Sequence, residues 1–251
     1  DDLLIGDPLE KQVFEGIKFR QASDGSKTSS GPGMQIIQLK KYMFSSALKR
    51  MSVLCQVNEQ GFTSGQRILS KGAPEVMKKF LKTVPDSYDD FYLKYVKDGA
   101  RVLTLAHKNI QKMSTAQIME YSRDEAESNL IFDGFIVAEC PLKSDTAKVI
   151  LELKEASHEV KMITGDNALT AAFIAQQLSF GFGPSIFAVK TERDNHLEWH
   201  NLDGQKVFET SNFEAVGHLA KKHLLCVSGD ILEKCILFSE AAKIIRHIHV
   251  F

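Results

Sequence analysis

Apolar residues fall in two rhythms along this chain. In residues 9–19, Val13, Phe14 and Ile17 form a helical stripe. Residues 34–42, 51–57 and 67–70 instead show the dense apolar pattern of strands, and Asn58-Glu-Gln-Gly61 fits a hairpin between the last two. The polar run from Gln21 to Gly33 predicts a loop. Pro74 opens a short helix through residue 81, and a second covers 89–97 with Gly99 as its C-terminal cap. A buried strand over 101–108, a short helix over 115–120 and a strand over 131–138 follow. Antiparallel strands with flanking helices predict an α+β domain over residues 1–139.

The pattern changes after Pro141. Ser144 or Asp145 is placed to cap a helix through residue 156, with Val149, Leu153 and Ala156 inward. Residues 160–163 read as a short strand, 164–167 as a loop and 168–178 as a helix. This order predicts part of an α/β, Rossmann-like domain over residues 140–251, with further strands at 185–190, 206–209, 224–227 and 248–251.

Composition narrows the function classes. Apolar residues make up 43% and charged residues 25%, ordinary values for a globular protein. With 31 Lys and Arg against 32 Asp and Glu, the net charge of −1 gives no general attraction to nucleic acid or an anionic membrane. No apolar run reaches the length of a membrane span, no secretory signal opens the chain, and a start at Asp1 fits a piece of something longer. Cys55, Cys140, Cys226 and Cys235 form no C-x-x-C pair and read as reduced thiols. His247 and His249 have strand spacing but no acidic or cysteine partner in sequence, so no metal ligand set is expected.

Three local patterns can carry chemistry, and each has a structural alternative. Thr164-Gly165-Asp166-Asn167 leads into a helix, where phosphate is favoured by unpaired N–H groups and the helix dipole. Asp166 or Asn167 can equally be a helix cap. In Lys71-Gly-Ala-Pro-Glu75 a mobile ammonium stands at a sharp bend, or is simply a solvated lysine. Phe44 precedes Lys49 and Arg50, an aromatic platform with cations that suits a purine and its phosphates, though a lone phenylalanine can also be core. Gly25-Ser26-Lys27-Thr28 lacks the spacing of a P-loop.

Six segments stand in an order that resembles the P-type ATPases. They are Gly6-Asp-Pro-Leu-Glu10, Phe44-Ser-Ser-Ala-Leu-Lys-Arg-Met-Ser-Val53, Lys71-Gly-Ala-Pro-Glu75, Asp98-Gly-Ala-Arg-Val-Leu-Thr-Leu-Ala106, Cys140-Pro-Leu-Lys143 and Met162-Ile-Thr-Gly-Asp-Asn167. The wording is most similar to type V, subgroup A, of the endoplasmic reticulum. Gly134-Phe-Ile-Val137, Glu198-Trp199, Asp203-Gly204, Leu225-Cys226 and Gly229-Asp230 point the same way. Where most pumps of the family have Asp-Pro-Pro-Arg at the hinge, this chain has Cys-Pro-Leu-Lys.

The resemblance implies a nucleotide-binding domain over 1–139 and part of a phosphorylation domain of the haloacid dehalogenase type over 140–251. By the same likeness Phe44 stacks on adenine with Glu10 and Lys49 near the base, Lys71 and Gly72 line that pocket, and Arg101 reaches toward the phosphates. Thr164, Gly165 and Asp166 meet the transferred phosphoryl group, and Lys143 lies at the hinge. ATP and Mg2+ are the implied ligands, and the missing membrane, actuator and phosphorylation segments of its own chain the implied partners. The parent would sit in the endoplasmic reticulum membrane with this region facing the cytosol, dislocating misplaced transmembrane segments.

The chain contains neither the Asp-Lys-Thr-Gly-Thr string that carries the phosphorylated aspartate nor the Gly-Asp-Gly-x-Asn-Asp string that helps bind magnesium. Ser228-Gly229-Asp230 continues as Ile-Leu-Glu and does not replace the latter. The expectation is therefore a piece that binds nucleotide without turning it over. Rival readings are a cation or polyamine pump of another subgroup and a non-catalytic nucleotide-binding module. A soluble dehalogenase-type phosphatase would need an Asp-x-Asp nucleophile motif after a strand.

Overall fold

The computed structural model describes residues 8–17, 19–21, 27–29, 33–59, 62–139, 141–189, 191, 197–210, 215–237 and 244–251. Gly6, the Gln60-Gly61 end of the expected hairpin loop, and Cys140 lie outside the described residues. The chain divides into two compact units, Asp1–Tyr92 with Val102–Ala138, and Leu93–Arg101 with Glu139–Phe251.

In the first unit, α1 (Pro8–Gly16) precedes a seven-stranded sheet whose strands lie side by side in chain order. These are β1 (Phe19–Gln21), β2 (Lys27–Ser29), β3 (Met34–Ser45), β4 (Arg50–Glu59), β5 (Phe62–Gly72), β6 (Arg101–Ile110) and β7 (Ile131–Ala138). The pairings from β1 to β6 are antiparallel. Their register explains the two faces. Ser52 stands opposite Ser70, and Ser70 opposite Ala106, on a face that is fully buried. Met51, Lys71 and Leu105 align on the other face and stay partly exposed.

The buried face packs Tyr42, Leu54 and Ile68 against Met77, Ile118, Ala126 and Leu130. Met77, Ile118 and Ala126 come from short helices, α2 (Pro74–Met77) and, past α3 (Tyr88–Lys97), α4 (Thr115–Glu120) and α5 (Arg123–Ala126), and Leu130 bridges to Leu81 just after α5. Reciprocal capping boxes, Ser114 with Gln117 and Ser122 with Glu125, satisfy backbone N–H groups that helices this short would leave orphaned.

Three local expectations change here. The first helix stops at Gly16, and Phe19 already belongs to a strand. The polar run 21–33 contributes β2, because pairing with β1 and β3 satisfies its backbone whatever its side chains. The helix expected over 74–81 tightens to a 3₁₀ turn at Lys78–Phe80.

The second unit contains α6 (Thr146–Glu155), α7 (Ala168–Gln177), β8 (Ser185–Val189), β9 (Leu197–His200), β10 (Lys206–Thr210), α8 (Val216–Leu219), β11 (Leu224–Cys226) and α9 (Gly229–Leu237). Its sheet runs β10-β9-β8-β11, with β11 parallel to β8 and the other pairs antiparallel. Val250 forms parallel bridges to both Met162 and Cys226, so residues 160–163 and 248–251 pair through single bridges rather than as full strands. One core gathers Ile186, Leu197, Trp199 and Leu225, and another Ala171, Ala172, Leu224 and Val250.

The expected inward set of α6 is corrected. Val149, Leu153 and Ala156 are exposed and no residue of this helix is buried; Ile150 is the one that packs on the core. Val149, Ile150, Leu151 and Leu153 spread apolar surface around the helix, so spacing alone did not select the face that packs.

Candidate functional site

In the first unit the site is built where β3 turns into β4. Ser45 and Arg50 close the turn as a pair, and the Leu48 and Lys49 amides both donate to the Ser45 carbonyl, at 3.1 and 2.8 Å. Lys49 adopts φ 49°. A side chain in that left-handed conformation costs about 1–2 kcal/mol, so the turn holds its lysine against a local preference for glycine.

Lys71-Gly72 runs alongside, with Met51 opposite Lys71 and Arg50 opposite Gly72. A Cβ on Gly72 would lie 2.7 Å from the Arg50 Cβ and 2.8 Å from the Lys49 carbonyl oxygen. The next amide, Ala73, donates to that same carbonyl at 3.0 Å. Glycine is therefore required by the close approach of two backbones. Pro74 then starts α2, and its carbonyl accepts from the Tyr88 hydroxyl at 2.9 Å.

Phe44, Lys49 and Lys71 thus stand at one end of the sheet. The Phe44 ring is 57% exposed, so it is not core. The Lys71 ammonium pairs with the Glu10 carboxylate, and Lys49 lies 3.9 Å from Glu75. The two ammoniums are held by exposed or half-exposed carboxylates, contacts that a phosphate ligand can exchange at little cost.

Beneath this end lies a charged cluster that sequence reading did not single out. Glu127, 1% exposed, accepts from Arg50 Nε at 2.6 Å, Ser52 Oγ at 2.8 Å and Arg123 Nε at 3.0 Å. Burial pushes the Glu127 carboxyl up, but the hydrogen bonds from Arg123, Ser52 and Arg50 outweigh it and hold the group below the usual carboxylate range. The Arg50 guanidinium also stands 4.1 Å from the Phe80 ring centroid. The signal available in sequence was Arg123 and Glu127 at i, i+4 behind a Ser-x-x-Glu cap.

In the second unit, Thr164-Gly165-Asp166 forms the loop before α7. The Asp166 amide donates to Thr164 Oγ1 at 3.1 Å, and nothing lies within 4 Å of a Cβ built on Gly165. Asn167 is the helix cap, accepting from the Leu169 amide at 2.9 Å. The Asp166 carboxylate instead pairs with the Arg101 guanidinium. Arg101 is placed with this unit along with Gly99, whose φ of 83° and fit against the Phe173 ring leave no room for a side chain. Lys143 is exposed, and its carbonyl receives the Thr146 amide at 3.1 Å.

The structure therefore gathers Glu10, Phe44, Lys49, Lys71 and Gly72 in the first unit, and Arg101, Lys143, Thr164, Gly165 and Asp166 in the second. Among the described residues, no group of three His, Cys, Asp or Glu side chains is placed to hold a metal ion, and no helix is long and apolar enough to cross a membrane.

Residues 25–145 match the family model of the P-type ATPase, cytoplasmic domain N. The chain is similar to "Probable manganese-transporting ATPase PDR2" of Arabidopsis thaliana, 36% identical over the whole chain and 21% of the relative. It is also 33% identical to the endoplasmic reticulum transmembrane helix translocase of Saccharomyces cerevisiae, again over 100% of the chain and 21% of the relative. With "Probable cation-transporting ATPase 13A5" of Homo sapiens it shares 35% identity over 68% of the chain and 15% of the relative. The chain spans about a fifth of the length of the curated relatives it matches over its whole length.

Proposed function

Because the chain belongs to the P-type ATPases, we propose that its first unit binds the adenine nucleotide of a type V member of that family. The observation that carries this reading is the exposed Phe44 ring at the sheet end that also presents Lys49 and Lys71. The ring offers a stacking face for the base, with Glu10 and Lys49 beside it, and the Lys71 ammonium lines the same pocket. Magnesium in this reading arrives with the nucleotide, since the described residues bring no carboxylate cluster to it.

In the second unit, Thr164 and Asp166 are proposed to contact the transferred phosphoryl group, with open space over Gly165 for close approach. The mixed sheet and the loop–helix order after Met162 support a dehalogenase-type phosphorylation domain. The parent would use ATP, with positioning and charge neutralisation supplying most of the catalysis. The 33% identity to a fifth of the yeast helix translocase, over the whole of this chain, supports a parent in the endoplasmic reticulum membrane, this region facing the cytosol, that dislocates transmembrane segments. A cation or polyamine cargo is the second reading. It is favoured by relatives named as manganese-transporting and polyamine-transporting ATPases.

Calorimetry with ATP and ADP on Phe44→Ala, Lys71→Ala, Thr164→Ala and Asp166→Ala tests the placement. Loss of the ring is expected to cost on the order of 1 kcal/mol or more, several-fold in affinity. Thr164→Ala and Asp166→Ala are expected to change affinity much less. Equal losses from Asp166→Ala and Phe44→Ala would overturn the assignment.

A further inference from the structure

We propose that Arg123 and Glu127 are positioning residues for nucleotide binding, clamping the turn that presents Phe44 and Lys49. This inference rests on the nucleotide reading of that sheet end. Arg123 reaches two carbonyls that bracket the turn: Nη1 donates to Met43 at 3.1 Å and Nη2 to Arg50 at 3.0 Å. The residues between those carbonyls are Phe44 to Lys49. Arg50 Nη1 adds a bond to the Leu48 carbonyl, at 3.3 Å, inside the turn.

Glu127 aims both guanidiniums. Its two oxygens receive Arg123 Nε at 3.0 and 3.1 Å and Arg50 Nε at 2.6 Å. Ser52 donates to it at 2.8 Å and is itself 2.8 Å from Ser70 Oγ, one ladder step from Lys71 on β5. The cluster therefore ties the backbone on both sides of Phe44 and Lys49 to the strand that carries Lys71.

Its energetics favour a positioning role over a purely stabilising one. Buried ion pairs recover little net stability after desolvation, and apolar replacements of similar volume often do as well. Here two guanidiniums surround one carboxylate, and the hydrogen bonds are spent on carbonyls of a turn that already contains a left-handed lysine. An apolar core would hand those carbonyls to water and leave the turn free to relax. The strained conformation persists because its surroundings over-determine it.

The test compares Glu127→Gln, which keeps size and removes the charge, with Leu130→Ala, a core truncation that does not touch the turn. For each variant of the 251-residue chain, ATP affinity is measured by calorimetry well below the unfolding midpoint. Amide exchange of residues 44–49 is followed without nucleotide. Glu127→Gln is expected to weaken ATP binding on the order of fivefold or more by loss of pre-organisation, and to speed exchange in 44–49. Leu130→Ala is expected to lower the midpoint while leaving both within about twofold of wild type.

Arg123→Lys, which keeps the charge but not the two-carbonyl reach, is the second variant should Glu127→Gln fail to fold, with the same loss expected. Normal exchange in 44–49 and affinity losses no larger than in Leu130→Ala would overturn the clamp. A wild-type chain that does not bind ATP would instead overturn the nucleotide reading and the clamp's role in it. Exchange in 44–49 would still report whether the clamp holds the turn.

Discussion

A side chain on Gly72 would collide with the backbone of Lys49: the built Cβ lies 2.8 Å from the Lys49 carbonyl oxygen. The Ala73 amide, donating to that same carbonyl at 3.0 Å, binds the Lys71-Gly72 segment to the turn after Phe44. Gly72→Ala is expected to destabilise the first unit by about 1–3 kcal/mol through overpacking and to weaken ATP binding with it. Denaturant titration and calorimetry check both. An unchanged midpoint would mean that the two backbones can part freely.

Lys49 offers a separation of stability from binding. Lys49→Gly removes about 1–2 kcal/mol of left-handed strain and adds about 0.5–1 kcal/mol of chain entropy cost, so the midpoint is expected to hold or rise slightly. ATP affinity is expected to fall, because the ammonium is gone. Retained affinity at unchanged stability would remove Lys49 from the site.

Much of the fold was legible because local patterns and tertiary structure agree. The strand over 131–138 and the short helix over 115–120 have the bounds that their apolar spacing predicts. Where they diverge, long-range pairing decides. β2 is polar, yet its neighbours satisfy its backbone. α6 is apolar on several sides, and only contact with the core picks out Ile150. Spacing did not reveal β9, whose Trp199 is fully buried. In the candidate site, Phe44, Lys71 and Gly72 could be found by motif, whereas the Glu127 cluster joins residues distant in sequence and follows no short pattern.

The second unit is expected to lose stability as pH falls below neutrality. His249 Nδ1 accepts from the Leu225 amide at 3.0 Å, a bond the protonated ring cannot accept. Burial, then the nearby Lys161 and Lys154, holds its pKa below the ordinary 6.5, with Glu159 opposing and His247 adding to the shift. A depressed folded pKa contributes stability that is complete above the unfolded value and lost as pH drops from about 6.5 through the folded value. Denaturant midpoints of wild type and His249→Gln between pH 7.5 and 5 test this. His247 shifts the same way and leaves a residual slope. Equal slopes in the two proteins would exclude His249 as a cause.

The chain is expected to bind ATP without consuming it, since its 251 residues hold no Asp-Lys-Thr-Gly-Thr string to supply the phosphorylated aspartate. Steady-state phosphate release should stay at background with magnesium present. Turnover that survives stringent purification would show a nucleophile that the motif reading misses.

The most direct test of the nucleotide assignment is an amide chemical-shift map of the isotope-labelled chain on addition of ATP. The largest perturbations are expected at residues 44–50 and 71–73, the two backbones that meet at Gly72, and Phe44→Ala should reduce them clearly at the same sub-saturating ATP concentration. Perturbations confined to residues 164–167, or a pattern indifferent to Phe44→Ala, would contradict a nucleotide site at this end of the sheet.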